Sequence, residues 1–179
     1  YNSYNVSRAK QLLAEAGYPN GFDMTIKVPS NYTFHMETAQ VVAEQLKAAG
    51  INAKIEGIEW SSWLSDVYAN RDYQATICAL TADLTPSSLL VRFTSGYSKN
   101  FVNFSDAEYD KVYAEAQASL DDNVRKEKYA KLQQILAEKE GSVFIQAAAL
   151  LVAKNKDLAG YKFYPVYVQD MSTVYYIKK

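Results

Sequence analysis

The sequence predicts an α/β fold built as one structural unit over residues 1–179, a sheet flanked by helices. Three observations carry this. Residues 22–28 and 51–56 alternate apolar and polar side chains, the period of a half-buried strand. The segments before, between and after them carry apolar residues at helical spacing. Residues 75–80 form a short, mostly apolar run holding Ile77 and Cys78, which suits a central strand buried on both faces.

The elements follow in order. Asn5 is placed to cap a first helix, whose Ala9, Leu12, Leu13 and Ala16 fall on one stripe. Gly17 supplies a left-handed C-terminal cap, and Pro19-Asn20-Gly21 makes a turn. Phe22, Met24, Ile26 and Val28 face one side of the first strand, which ends at Pro29-Ser30-Asn31. Ala39, Val42, Ala43 and Leu46 stripe a second helix stopped by Gly50. Ile51, Ala53 and Ile55 mark the second strand. Trp60, Trp63, Leu64, Val67 and Tyr68 predict a third helix before the run at 75–80. Strands separated by helices of this length favour parallel pairing through right-handed crossovers.

The second half changes character. Residues 83–103 form a long connection with Pro86 and Gly96 and a short helix near 87–93. Ser105 and Glu108 fit a capping box for a helix carrying Tyr109, Val112, Tyr113, Ala116 and Leu120. Asp121-Asp122-Asn123 ends it and starts another, striped by Tyr129, Leu132, Ile135 and Leu136. Residues 143–153 are apolar almost throughout and read as strand, with 147–151 also compatible with helix. Tyr161, Phe163, Pro165 and Tyr167 suggest a last, irregular strand.

Composition removes several functions. Nineteen basic against twenty acidic residues leave a net charge of −1, without the footprint of a general nucleic-acid binder. One Cys excludes an internal disulfide or a Cys-based zinc cluster, and one His excludes a multi-histidine metal site. No cofactor is expected. The apolar run at 147–153 is far shorter than the roughly 20 residues a membrane helix needs. The chain opens Tyr1-Asn2-Ser3-Tyr4, without Met or a charged and apolar leader, and reads as a processed product or a piece of something longer.

Catalysis finds no constellation. His35 lies near no nucleophile motif and reads as a surface or helix-terminal residue. Cys78 sits mid-strand among apolar residues and reads as a structural thiol. Binding fares better, because ligands of open α/β sheets collect at the carboxyl ends of the strands. Those ends lie at 29–33, 58–60 and 80–86, and they offer Asn31, Tyr32, Glu59, Trp60, Thr81, Asp83 and Thr85. This mixture of aromatic, neutral polar and acidic groups suits an organic ligand, with a cationic end as one option. Trp60 also opens a helical stripe that core packing would explain equally well, and Asp83 could instead cap the segment after it.

The run Ala9-Lys10-Gln11-Leu12-Leu13-Ala14-Glu15-Ala16-Gly17-Tyr18-Pro19-Asn20-Gly21-Phe22 resembles a signature of the family 5 extracellular solute-binding proteins, receptors of ABC importers for dipeptides, oligopeptides and nickel. Further runs keep the family's order. They include Gln45-Leu46 to Gly50-Ile51, Glu59-Trp60-Ser61-Ser62-Trp63-Leu64 and Ala82-Asp83-Leu84-Thr85-Pro86. Asn103-Phe104-Ser105-Asp106-Ala107-Glu108-Tyr109-Asp110, the helix from Arg125 to Leu136 and Leu158-Ala159-Gly160-Tyr161 continue the likeness.

The resemblance implies one lobe of a type II periplasmic-binding-protein-like fold, with a mixed sheet flanked by helices. It implies the C-terminal lobe, with an N-terminal lobe of the same protein and a transporter permease as partners. It implies an extracytoplasmic location, periplasmic or at the cell surface, and no enzymatic activity. In peptide-binding members the acidic residue of the "A-D" loop pairs with the peptide's α-amine and the Trp of "E-W" lines the cleft, roles that fall on Asp83 and Trp60. Alternatives are a sensory or protein-interaction module derived from such a lobe, or a receptor for nickel complexes or sugars.

Overall fold

A computed structural model describes residues 4–81, 84–147, 151–164 and 169–177. The chain divides into two compact units, Tyr1–Leu80 with Gly96–Asn103, and Thr81–Ser95 with Phe104–Lys179.

The first unit opens with helix α1 (Val6–Glu15), capped by Asn5, whose side-chain oxygen accepts the Arg8 N–H at 2.9 Å. It ends in a Schellman motif. Gly17 N–H donates to Ala14 O at 3.1 Å and Tyr18 N–H to Leu13 O at 2.8 Å, with Gly17 at φ +89°. The predicted stripe does not become core: no α1 side chain is buried, and Leu12 is 47% exposed. A stripe shows which side chains share a face, and burial needs a second surface to cover it.

Strands β1 (Phe22–Pro29) and β2 (Ile51–Ile58) pair in parallel over eight positions, from Phe22 opposite Ile51 to Pro29 opposite Ile58. Helix α2 (Thr33–Ala49) connects them, and its left-handed cap, Gly50 at φ +101°, turns directly into β2. The short strand β3 (Ala75–Thr76) pairs in parallel with the other edge of β1, giving the order β2-β1-β3. The parallel pairing matches the sequence expectation, but the central strand is β1. Only two residues of the run at 75–80 pair as strand, at the side of the described sheet. β1 takes the centre because it hydrogen-bonds on both edges, and its Ile26, Val28 and Pro29 are buried.

The sheet's two faces differ. Met24, Ile26, Val28, Ala53, Ile55, Ala75 and Ile77 pack with Ala39, Met36, Val42 and Leu46 of α2. Helix α3 (Trp60–Ser62) continues as a π-helical segment, Trp63–Ala69. Its Trp63 and Val67 form a second cluster with Phe101, Ile58, Trp60 and Cys78. The predicted third helix is thus present with a wider turn. Leu64, placed on its apolar stripe by a 3.6-residue period, is 41% exposed.

In the second unit, Thr85 precedes helix α4 (Pro86–Leu90), which runs into a 3₁₀ turn, Val91–Phe93. Helices α5 (Ala107–Ala118) and α6 (Asp122–Lys139) pack together. Asp106, not Ser105, caps α5, accepting the Tyr109 N–H at 2.8 Å; a carboxylate also suits the positive end of the helix. Asp121 caps α6 as expected. Tyr109, Val112 and Ala116 of α5 and Leu132, Ile135 and Leu136 of α6 are buried, each large one contributing about 1.5–3 kcal/mol. The Tyr109 hydroxyl donates to Leu90 O at 2.7 Å, and burial raises its pKa. Leu120 lies past the end of α5 and is 96% exposed, so it does not join the stripe.

Two further strand expectations are corrected. Among the described residues of 143–153 no strand forms, and Val143, Phe144, Ile145, Leu151 and Val152 are exposed. Apolar composition gives a segment β propensity, but a strand exists only where an edge pairs with it. Residues 161–164 are not strand either, and Pro165 and Tyr167 lie outside the described residues. The antiparallel pair is instead β4 (Leu158–Ala159) with β5 (Tyr175–Tyr176).

Gly21 at φ +74° opens β1, and a Cβ there would overlap the Gly50 carbonyl oxygen. In the full-length protein, Gly21→Ala should destabilise by about 2–5 kcal/mol, combining left-handed strain with overpacking. Gly17→Ala, whose Cβ would meet nothing, should cost only the strain, about 1–2 kcal/mol. Thermal denaturation of both variants checks the order, and equal losses would refute the close-contact argument.

Candidate functional site

The parallel register brings the carboxyl ends of β1 and β2 level, with Pro29 opposite Ile58. Ser30 ties them further. Its N–H donates to Ile58 O at 2.8 Å and its hydroxyl to the same oxygen at 3.0 Å. Tyr32 takes the N-cap position of α2 in extended backbone, while Glu59 caps α3 by accepting from Ser61. These turns set the Tyr32 ring edge-on to Trp60, with centroids 5.4 Å apart at 86°. Trp60 in turn stacks on Trp63 at 5.1 Å, only 4° from parallel.

The two tryptophans have different roles. Trp63 is buried, and its Nε1–H donates to Thr76 Oγ1 at 2.9 Å. That hydroxyl donates to Lys27 O at 2.7 Å, so the indole is keyed to the backbone of the central strand. Trp60 lies half-buried on this platform. Asn31 is exposed beside Tyr32. Asn31, Tyr32 and Trp60 thus gather at one end of the sheet, an aromatic and polar surface without a base–nucleophile pair.

Thr81 and Thr85 belong to the second unit. Thr81 is exposed, and Thr85 is engaged at the start of α4, with Oγ1 at 3.2 Å from the hydroxyls of Ser87 and Ser88. Asp83 lies outside the described residues.

His35 departs from the surface reading. It is helix-terminal as expected, but buried, and its Nε2 accepts the Ala79 N–H at 3.3 Å. Burial pushes its pKa below 6.5. The available signal was local: His35 ends the run Tyr32-Thr33-Phe34-His35 at a strand's carboxyl end, where aromatic neighbours cover it. The Cys78 thiol is pushed up to about 11 by burial, in keeping with an inert structural thiol. Among the described residues no cluster of three or more His, Cys, Asp or Glu could hold a metal ion.

A family model described as bacterial extracellular solute-binding proteins, family 5 Middle, matches residues 1–101, more than half of the chain. The chain belongs to this family. Its members are non-catalytic solute-binding proteins. The oligopeptide-binding protein AppA of Bacillus subtilis (strain 168) is 30% identical over 177 residues, covering 90% of this chain and 33% of the relative. The crystal structure of AppA from Clostridium difficile superposes with a TM-score of 0.87 at 24% identity, over 96% of this chain and 37% of that one. OppA of Haemophilus influenzae, crystallised in complex with RPPGFSPFR, gives a TM-score of 0.70 at 29% identity, covering 76% and 27%. The chain therefore has the fold of periplasmic binding proteins and spans about a third of the length of the curated relatives it matches. Among the described residues no helix is long and apolar enough to cross a membrane.

The division of labour between the tryptophans is testable by stability. Trp63→Phe removes a buried donor and part of a buried ring and should cost about 1–3 kcal/mol. Trp60→Phe should cost less than about 1 kcal/mol, because a half-buried ring can still stack. Chemical denaturation of the two variants measures both, and a larger loss for Trp60→Phe would reverse the assignment.

Proposed function

We propose that this chain forms one wall of the ligand cleft in a two-lobed peptide receptor serving an ABC importer, and that it performs no chemistry itself. The observation that carries this reading is the Tyr32 and Trp60 surface at the level ends of two parallel strands, in a member of this family. Support comes from relatives whose names state oligopeptide binding and from the related OppA crystallised with a nonapeptide. On this reading residues 1–179 are the C-terminal lobe. The N-terminal lobe of the same protein supplies the opposite wall, the closed receptor docks on the permease, and the protein works outside the cytoplasm.

Within that cleft, Trp60 and Tyr32 pack against peptide side chains and backbone. Asn31, Thr81 and Thr85 offer hydrogen bonds to the peptide, and Asp83 provides the counter-charge for its α-ammonium group. Closure would desolvate that pair, which strengthens the attraction and penalises any ligand lacking the amine.

Two measurements test the reading. The isolated chain should bind peptide only at millimolar concentration or undetectably, because half the contacts are absent while the entropic cost of association remains. Micromolar binding by the isolated chain in calorimetry would overturn the one-wall reading. In the full-length receptor, Asp83→Asn should weaken peptide binding by roughly thirtyfold or more and leave the melting temperature nearly unchanged, with little further loss for N-acetylated peptide. Lower stability with intact affinity would make Asp83 a cap instead.

A further inference from the structure

His35 is the single imidazole of the chain, and its buried ring stands edge-on to Tyr32 of the aromatic surface. Its ring centroid is 5.4 Å from that of Tyr32, the same separation Tyr32 keeps from Trp60. Phe34 covers it at 4.0 Å. Its Nε2 accepts from Ala79, four residues before Asp83, where the segment after β3 ends. One buried ring therefore contacts both the aromatic surface and the backbone that leads to the proposed amine-binding loop.

We propose that neutral His35 is a positioning residue for ligand binding: by accepting the Ala79 N–H it holds residues 77–80 against the Tyr32 and Trp60 surface, and protonation releases that hold. The inference rests on the peptide-binding reading above.

The chemistry is that of one lone pair. Neutral imidazole has one acceptor nitrogen, and imidazolium has none. Protonation would set N–H against N–H at Ala79 and bury a charge. The groups facing the ring are the Tyr32 phenol and Phe34 from the start of α2 and the Ala79 amide from the segment after β3. The Cys78 thiol next along stays neutral, with its pKa raised to about 11. Burial alone moves the imidazole, downward from 6.5. A depressed folded-state value means the hold is fully present above 6.5 and is lost as pH falls through that lowered value.

The test uses the full-length receptor as wild type, His35→Gln and His35→Phe, titrated with trialanine and with RPPGFSPFR at about pH 7.5 and 5.0, together with tryptophan emission against pH without peptide. Wild-type affinity should fall about tenfold between the two pH values, the scale of one buried donor left without its acceptor. His35→Gln, whose amide oxygen accepts without titrating, should stay within about threefold at both. His35→Phe should bind at pH 7.5 as weakly as wild type does at 5.0. A wild-type pH dependence no steeper than that of His35→Gln would overturn the proposal, as would full affinity in His35→Phe. If His35→Phe fails to fold, the comparison of wild type with His35→Gln decides. If neither peptide binds at pH 7.5, the peptide reading fails, and emission decides His35 alone. A transition below pH 6.5 in wild type that is missing in His35→Gln supports the positioning role, and identical titrations overturn it.

Discussion

The parallel register of β1 and β2 is the constraint on which the first unit depends. It starts where two left-handed glycines meet, Gly21 at the head of β1 and Gly50 at the head of β2. Neither position tolerates a side chain without strain, so the two strands begin in step. Eight paired positions later they end in step, at Pro29 and Ile58. A slip by one residue would turn Ile26 and Val28 away from Ala39 and point Lys27 into the core. The turns that follow therefore emerge at one level, and Tyr32 and Trp60 meet because the strands beneath them do.

The second face of the sheet converts this register into a rigid platform. Trp63 reaches Thr76, and Thr76 reaches the Lys27 carbonyl, so an indole on the π-helical segment is bonded through one hydroxyl to the central strand. π-Helical turns are frequent at functional sites. Here the turn accompanies a stack in which a buried tryptophan supports a half-buried one. Both partly exposed rings, Trp60 and Tyr32, are held by neighbours that are themselves buried, Trp63 and His35. Side chains supported in this way have little conformational freedom left to lose in a complex.

The second unit is organised around a polar atom rather than a sheet. The buried Tyr109 hydroxyl donates to Leu90 O, which links α5 to the end of α4. Tyr113 makes a similar bond to Ser87 O at 3.2 Å. Phe104 stands edge-on to Tyr109, and Leu132, Ile135 and Leu136 of α6 complete the buried set. The abundance of tyrosine in the sequence has one physical outlet here: a ring that fills core volume and a hydroxyl that donates to a backbone carbonyl of α4.

Local patterns in the sequence determined the α/β alternation, the caps at Asn5, Asp121, Gly17 and Gly50, the strands 22–28 and 51–56, and the residue types at the strand ends. Each of these is settled by a few neighbours in the chain, through side-chain period, backbone φ or a hydroxyl or carboxylate beside an amide. The runs from Ala9 to Phe22 and from Glu59 to Leu64 also made the family legible, because they follow one another in the family's order. Tertiary structure decided what depends on a distant partner. It put β1 in the centre, left the α1 stripe unburied and residues 143–147 exposed, and moved the cap of α5 to Asp106. It buried His35 beneath Tyr32 and against Ala79, 44 positions away, and it buried Trp63 while leaving Trp60 half-exposed although both fit one stripe. Period reports which side chains share a face. Only the packed fold determines which faces are covered, which edges are paired and which polar atoms must find each other.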